Sequence, residues 1–268
     1  MNGYHQYSFD ELSRSLASRL LSGTGRASAL FYKENPEFEI GSLLHGMSAD
    51  DEFLIAYVAQ DSDPANKMET VNPVRIEIIR ECMDPSIRVV TASAHVLGQV
   101  EWISLADGKE MLSAGKLPER IASFVAETKV RIGIVSIDKL LLHQPSGVTR
   151  ICPESITAST RTVSFPTLSD EIDCSMSLGT NDVLRKVCIA VENGVLPGKI
   201  CGRCPQASIC QHIANKVVCA DIDSLGVTLT HIKNDEITTV FAAFDKPVKD
   251  IKEFEYELLK IKNSSLAE

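Results

Sequence analysis

The sequence has no run of basic residues: 27 Lys and Arg stand against 36 Asp and Glu, for a net charge of −9. Holding a phosphate backbone takes a concentrated cationic surface, so nucleic acid is a poor partner for this chain. No apolar run reaches the roughly 18 residues that a membrane-crossing helix needs. The first residues, MNGYHQYSFDELSRSLASRLL, lack the basic start and apolar core of a secretory signal. G-x-S-x-G, Walker and H-E-x-x-H patterns are missing, which removes the main sequence support for hydrolase, NTPase and zincin chemistry. GTGRAS has only two glycines and follows a helical pattern instead of a strand, so it reads as a loop. Aromatic residues make up 6% of the chain and Trp102 is the one tryptophan.

Ordinary globular chemistry is present. The 268 residues are 44% hydrophobic and 24% charged, enough for one large domain or two smaller ones with real cores. The composition and N-terminus predict a cytoplasmic protein, in which eight cysteines are thiols or ligands in preference to structural disulfides.

Ser8 and Glu11 are spaced as a capping box, and Leu12, Leu16, Leu20 and Leu21 follow at helical intervals. SALFYKE, FEIGSLLHGM and EFLIAYVA then read as strands, and VRIEIIREC alternates strictly. SIRVVTASAHVLGQVEWISL is long enough for one bent strand or two short ones, with Gly98 as the bulge or bend. DGKEMLSAGKLPERIASFVAET is helical, with a break at Pro118, and VRIGIVSIDKLLLHQPSG returns to strand. Residues 1–160 thus predict six or seven strands and two helices, and short polar turns favour an antiparallel barrel over βαβ repeats.

The Ser/Thr/Pro-rich STRTVSFPTLSDE is the expected joint. Residues 161–215 are read as a linker and cysteine-containing segment, with a helix N-capped by Asn181, and residues 216–268 as a small α/β domain. In that last part a hairpin turns at KNDE, and Ile251, Phe254, Leu258 and Ile261 share one face of a closing helix. The acidic clusters SADDE and DSD are expected to be solvated turns.

Four of the eight cysteines fall in nineteen positions. Cys201, Cys204 and Cys210 form C-x2-C-x5-C, a pattern whose thiolates suit an iron–sulfur cluster or zinc. Cys219 is the candidate fourth ligand, with Cys188, Cys174 and His212 as alternatives. A second C-x-x-C at zinc-ribbon spacing is missing. A thiol–disulfide switch and a metal-free cysteine stretch stay open beside the metal readings. Cys188, between Val187 and Ile189 in a helical pattern, also reads as a core thiol, and Cys82 and Cys152 as core or turn residues. His45, His95, His143 and His231 read as solvated or core-satisfied side chains, although an imidazole facing a cavity could ligate haem.

The order of elements in residues 25–160, and VRIGIVSIDKLLLHQPSGVTRICPESI above all, resembles the FMN-binding split-barrel superfamily of pyridoxamine-phosphate-oxidase-like proteins. Ile222-Asp223, Gly226, Phe244, Pro247-Val248 and Phe254 are similar to the small α/β domain appended to split-barrel haem-utilisation proteins. The family's H-x-N-x-D-H signature is not there, and His212 stands alone in QHIANKVV. KICGRCPQASIC is similar over twelve residues to the C-x-x-C-P-x4-C core of WhiB-like iron–sulfur proteins.

These resemblances imply an α+β fold, an N-terminal antiparallel split β-barrel plus a small C-terminal α/β domain, paired as a homodimer. They imply a haem- or flavin-handling redox protein, an oxidoreductase if it is an enzyme, that takes haem or FMN, carries an iron–sulfur cluster and meets a redox partner protein. The alternative is a non-catalytic regulator that responds to iron or redox state through its cluster or zinc.

Overall fold

The computed structural model describes residues 8–33, 38–58, 70–84, 86–127, 130–160, 165–205 and 210–266. The DSD cluster, Asp61 to Asp63, lies outside them. The chain opens with helix α1 (Phe9–Leu21), whose Ser8 and Glu11 form the expected capping box. The leucines Leu16, Leu20 and Leu21 turn into the first core.

Strands β1 (Arg26–Phe31), β2 (Phe38–Met47), β3 (Phe53–Val58), β4 (Val71–Glu81), β5 (Val90–Trp102) and β6 (Val130–Gln144) are joined in the order β3-β2-β1-β4-β5-β6. Pairing of β3 with β6 closes this sheet into an antiparallel barrel of six strands, and β7 (Gly147–Ile151) adds to the free side of β6. The fold is α+β, as the sequence predicts. The barrel interior is filled by Phe31, Ile76, Ile78, Val96, Leu140 and Leu142 from alternating positions, with α1 capping it. β5 is one strand, not two, and its register shifts between Leu97 and Gly98. A Cβ at Gly98 would run into the Ser136 carbonyl of β6, which is why the bulge carries glycine.

Helices α2 (Leu105–Ser113) and α3 (Glu119–Glu127) flank Pro118 and cover the outside of β3. β3 is therefore buried on both faces: Phe53, Ile55 and Tyr57 point into the barrel, Leu54 and Ala56 toward α3. A further helix, α4 (Pro153–Thr160), lies in the stretch read from sequence as the end of the β region.

The second unit is a four-stranded antiparallel sheet, β8 (Gly198–Pro205), β9 (Lys216–Asp223), β10 (Gly226–Ile232) and β11 (Glu236–Ala243), in the order β8-β11-β10-β9. Helices α5 (Leu168–Ser177), α6 (Asn181–Glu192) and α7 (Ile251–Leu266) cover one face, with Leu184, Val187, Phe254 and Leu258 packed on Leu229 and Val240. Thr180, not Asn181, is the cap residue of α6. The Asn181 side chain instead accepts the Val217 amide at 2.7 Å and ties the helix to β9. The other face of this sheet carries Asp221, Asp223, Thr228 and Thr239 and turns to the barrel. No helix among the described residues is long and apolar enough to cross a membrane.

Candidate functional site

The predicted ligand cysteines are spread over the second unit. Cys201 sits in a bulge of β8, where the register with β11 shifts between Thr239 and Val240. Its thiol is half-buried, and the loss of solvent pushes its pKa up to about 11. Cys204, near the end of β8, is exposed, and so is Cys210, whose Sγ lies 3.4 Å from His212 Nδ1. Cys219 is on β9 at the opposite edge of the sheet, about 14 Å across three strand spacings. It packs into the core on the helix-covered face and is not brought to the other three. Cys174 and Cys188 lie in that same core, and burial pushes each to about 12. Among the described residues no three His, Cys, Asp or Glu side chains gather as a metal site.

The histidines converge more than their sequence positions suggest. Antiparallel register sets Ser93 of β5 opposite His143 of β6, which makes His95 the diagonal neighbour of His143 on the outer wall of the barrel. Their rings are 4.6 Å apart. On β4, Glu77 stands directly across from His95, with Oε1 3.5 Å from Nε2. Burial and the adjacent His143 lower the His95 pKa, while Glu77 opposes them.

His143 opens onto a cleft of about 350 Å³ between the barrel and the second sheet. Val89, Val90 and Ala92 line it from the barrel side, and Arg203, Cys204 and Ile237 from the second sheet. Val90 is 59% exposed, an apolar surface left open to a ligand. An imidazole and a thiol thus face one partly apolar cleft from two different sheets. The sequence showed both residues, but only the strand register and the packing of the two units bring them together.

A larger cavity of about 670 Å³ lies on the other side of α1, and its walls include His45, Ser48, Arg120 and Thr167. His45 is buried, Nε2 is 2.8 Å from the Leu20 carbonyl, and burial pushes its pKa down to about 4.

The seam between the units is held by buried charges that sequence reading missed. Arg19 of α1 donates to both oxygens of Asp221 and to Asp223, and Arg80 of β4 donates to Glu171 of α5. Against the upward push of burial, Arg19 and Arg80 hold the Asp221 carboxyl below its usual range. For Glu171 burial wins over the same arginines, and its pKa is raised. The only hint in the sequence is an Arg inside an apolar helical repeat and an Asp pair in an apolar strand.

No family model and no curated protein matches the chain. Solved structures with a similar outline include a haem-binding protein from Mycobacterium smegmatis, 12% identical, covering 98% of this chain and 99% of that one with a TM-score of 0.48. A protein of unknown function from Agrobacterium tumefaciens is 12% identical over 95% of this chain and 96% of its own, with a TM-score of 0.39. A pyridoxinephosphate-oxidase-family protein related to a general stress protein, from Clostridium acetobutylicum, is 9% identical, covers 55% of this chain and 99% of that one, and gives a TM-score of 0.37.

Proposed function

We propose that the protein handles haem, held in the cleft between the barrel and the second sheet. The observation that carries this is the placement of His143 and Cys204 on facing walls of one cleft with apolar flanks. Imidazole and thiolate are both protein ligands of haem iron, and valine and isoleucine walls suit the macrocycle. The resemblance of the C-terminal segment to haem-utilisation proteins points the same way.

The residues present fit the group. His143 would be the iron ligand from the barrel, with His95 packed beside it and Glu77 orienting His95 from across the sheet. Arg203, 50% exposed in its side chain and 3.8 Å from Glu192, is placed to meet a propionate at the rim. Bound there, haem would supply a redox-active iron. The cavity around His45 offers haem no free ligand, because the His45 Nε2 is already committed to the Leu20 carbonyl.

Titration with haem, followed by absorbance, tests this. A Soret shift that His143→Ala abolishes is expected. A protein that purifies yellow and releases flavin on denaturation would place it with the flavin-binding split barrels instead. Iron and acid-labile sulfide counted on the same anaerobic preparation test the cluster on Cys201, Cys204 and Cys210, and through it the regulatory alternative.

A further inference from the structure

We propose that Cys204 is an exchangeable second ligand of the haem iron, bound as thiolate to ferric haem and released as thiol when the iron is reduced. This rests on the haem reading of the cleft and gives its two walls different tasks.

The two residues stand on backbones of unequal firmness. His143 is on β6, which pairs along one side with β5 and along the other with β7, so that Ser93 and Val148 are its cross-strand neighbours. Cys204 is on β8, the edge strand of its sheet, paired with β11 alone and one residue from the strand's end. Ladder bonds at an exposed strand end open more readily than those inside a sheet. Register sets the direction of the thiol. Cys204 is opposite Ile237, and cross-strand partners share a face, so Cys204 is turned to the cleft that Ile237 lines. His143 is built to stay and Cys204 to come and go.

Charge decides when it leaves. Ferric porphyrin carries one net positive charge, which a thiolate neutralises and a thiol does not. Ferrous porphyrin is neutral, so a thiolate kept on it would leave an anion against Val89, Val90, Ala92 and Ile237. Arg203, a cation in that wall, is already set against Glu192, 3.8 Å away. The balanced step takes one electron from a one-electron reductant to the iron and one proton from solvent to Sγ, and the bond between iron and sulfur breaks. The protonated Sγ has an acceptor in the Pro205 carbonyl, 3.8 Å away. Cys201, the other thiol of β8, is no substitute. It lines the seam beside Phe9 and Leu12 instead of the cleft, and loss of solvent pushes its pKa up to about 11.

Absorbance and electron paramagnetic resonance of the haem-loaded protein, before and after reduction with dithionite, test the assignment. The unaltered chain should give low-spin ferric iron with a thiolate signature that Cys204→Ser loses. Changing the exposed Cys210 to Ser should keep that signature. The ferrous forms of the unaltered chain and of Cys204→Ser should be alike, and neither carbonyl complex should show a thiolate-type Soret band. Loss of the thiolate should weaken ferric relative to ferrous binding at least tenfold, which raises the midpoint potential by about 59 mV or more. His143→Ala should lose the haem in both oxidation states. A ferric spectrum and potential unchanged in Cys204→Ser, with haem still lost in His143→Ala, would overturn the thiolate ligand and leave the haem reading standing. A thiolate signature that persists in the ferrous protein would overturn the exchange. Haem kept by His143→Ala, or bound by none of the proteins, would overturn the haem reading and this assignment with it.

Discussion

Arg19 and Asp221 form a two-point ion pair, Nη1 to Oδ1 at 2.7 Å and Nη2 to Oδ2 at 2.6 Å, across 202 residues of chain. It joins the first helix, which caps the barrel, to an edge strand of the second sheet. Both side chains are nearly sealed from water, so each relies on the other for its solvation. Removing one partner of such a pair typically costs about 3–5 kcal/mol, because a buried charge is left uncompensated. Arg19→Met should therefore destabilise the protein by roughly that amount in urea unfolding. A loss within the error of the method would show that the seam does not hold the units together.

The same seam makes an opposite prediction about pH at Glu171. Arg19 and Arg80 face three carboxylates there, Glu171, Asp221 and Asp223. The folded pKa of Glu171 is raised, so its stabilising share is full at low pH and is lost as pH rises through that value. Asp221, with a lowered pKa, behaves the other way, and its share is lost as pH falls. The deficit of Glu171→Gln relative to the unaltered chain should accordingly be largest near pH 4 and shrink toward pH 7. Unfolding curves at the two pH values would decide it, and a deficit that grows with pH would contradict the assignment.

His45 gives a third pH dependence. Its folded pKa of about 4 is below the unfolded value of 6.5, so its share of stability is full above 6.5 and is lost as pH falls toward 4. That difference corresponds to roughly 3 kcal/mol across the interval. His45→Gln cannot titrate, and its stability should fall less steeply between pH 6.5 and 4. Parallel curves for the two proteins would rule out a buried neutral imidazole.

Gly98 is the steric hinge of β5. Any side chain there meets the Ser136 carbonyl, a backbone group that cannot step aside without breaking the β5–β6 ladder. Gly98→Ala should cost about 1–3 kcal/mol, as forced overpacking typically does. Thermal unfolding checks it, and an unchanged midpoint would mean that the bulge can shift along the strand.

Local signals in the sequence were legible wherever neighbours along the chain set the structure. Ser8 with Glu11 capped α1, Pro118 separated two helices, Gly98 marked a bulge, and KNDE turned the β10–β11 hairpin. The strand-rich barrel followed from alternation and short turns. What failed to show was long-range or masked by composition. Thr167 and Asp170 form a capping box inside what reads as a Ser/Thr/Pro joint, so α5 was hidden by its flanks. The meeting of His95 with His143, of Cys204 with His143 across the cleft, and of Arg19 with Asp221 depends on register and docking. Neither has a period in the sequence.

The haem cleft is tested most directly by titrating the purified protein with haem and recording the Soret band for the unaltered chain and for His143→Ala. A break at one haem per chain is expected, with a spectrum of imidazole-ligated iron that His143→Ala loses. A band that forms equally in both proteins, or none in either, would contradict haem binding through His143.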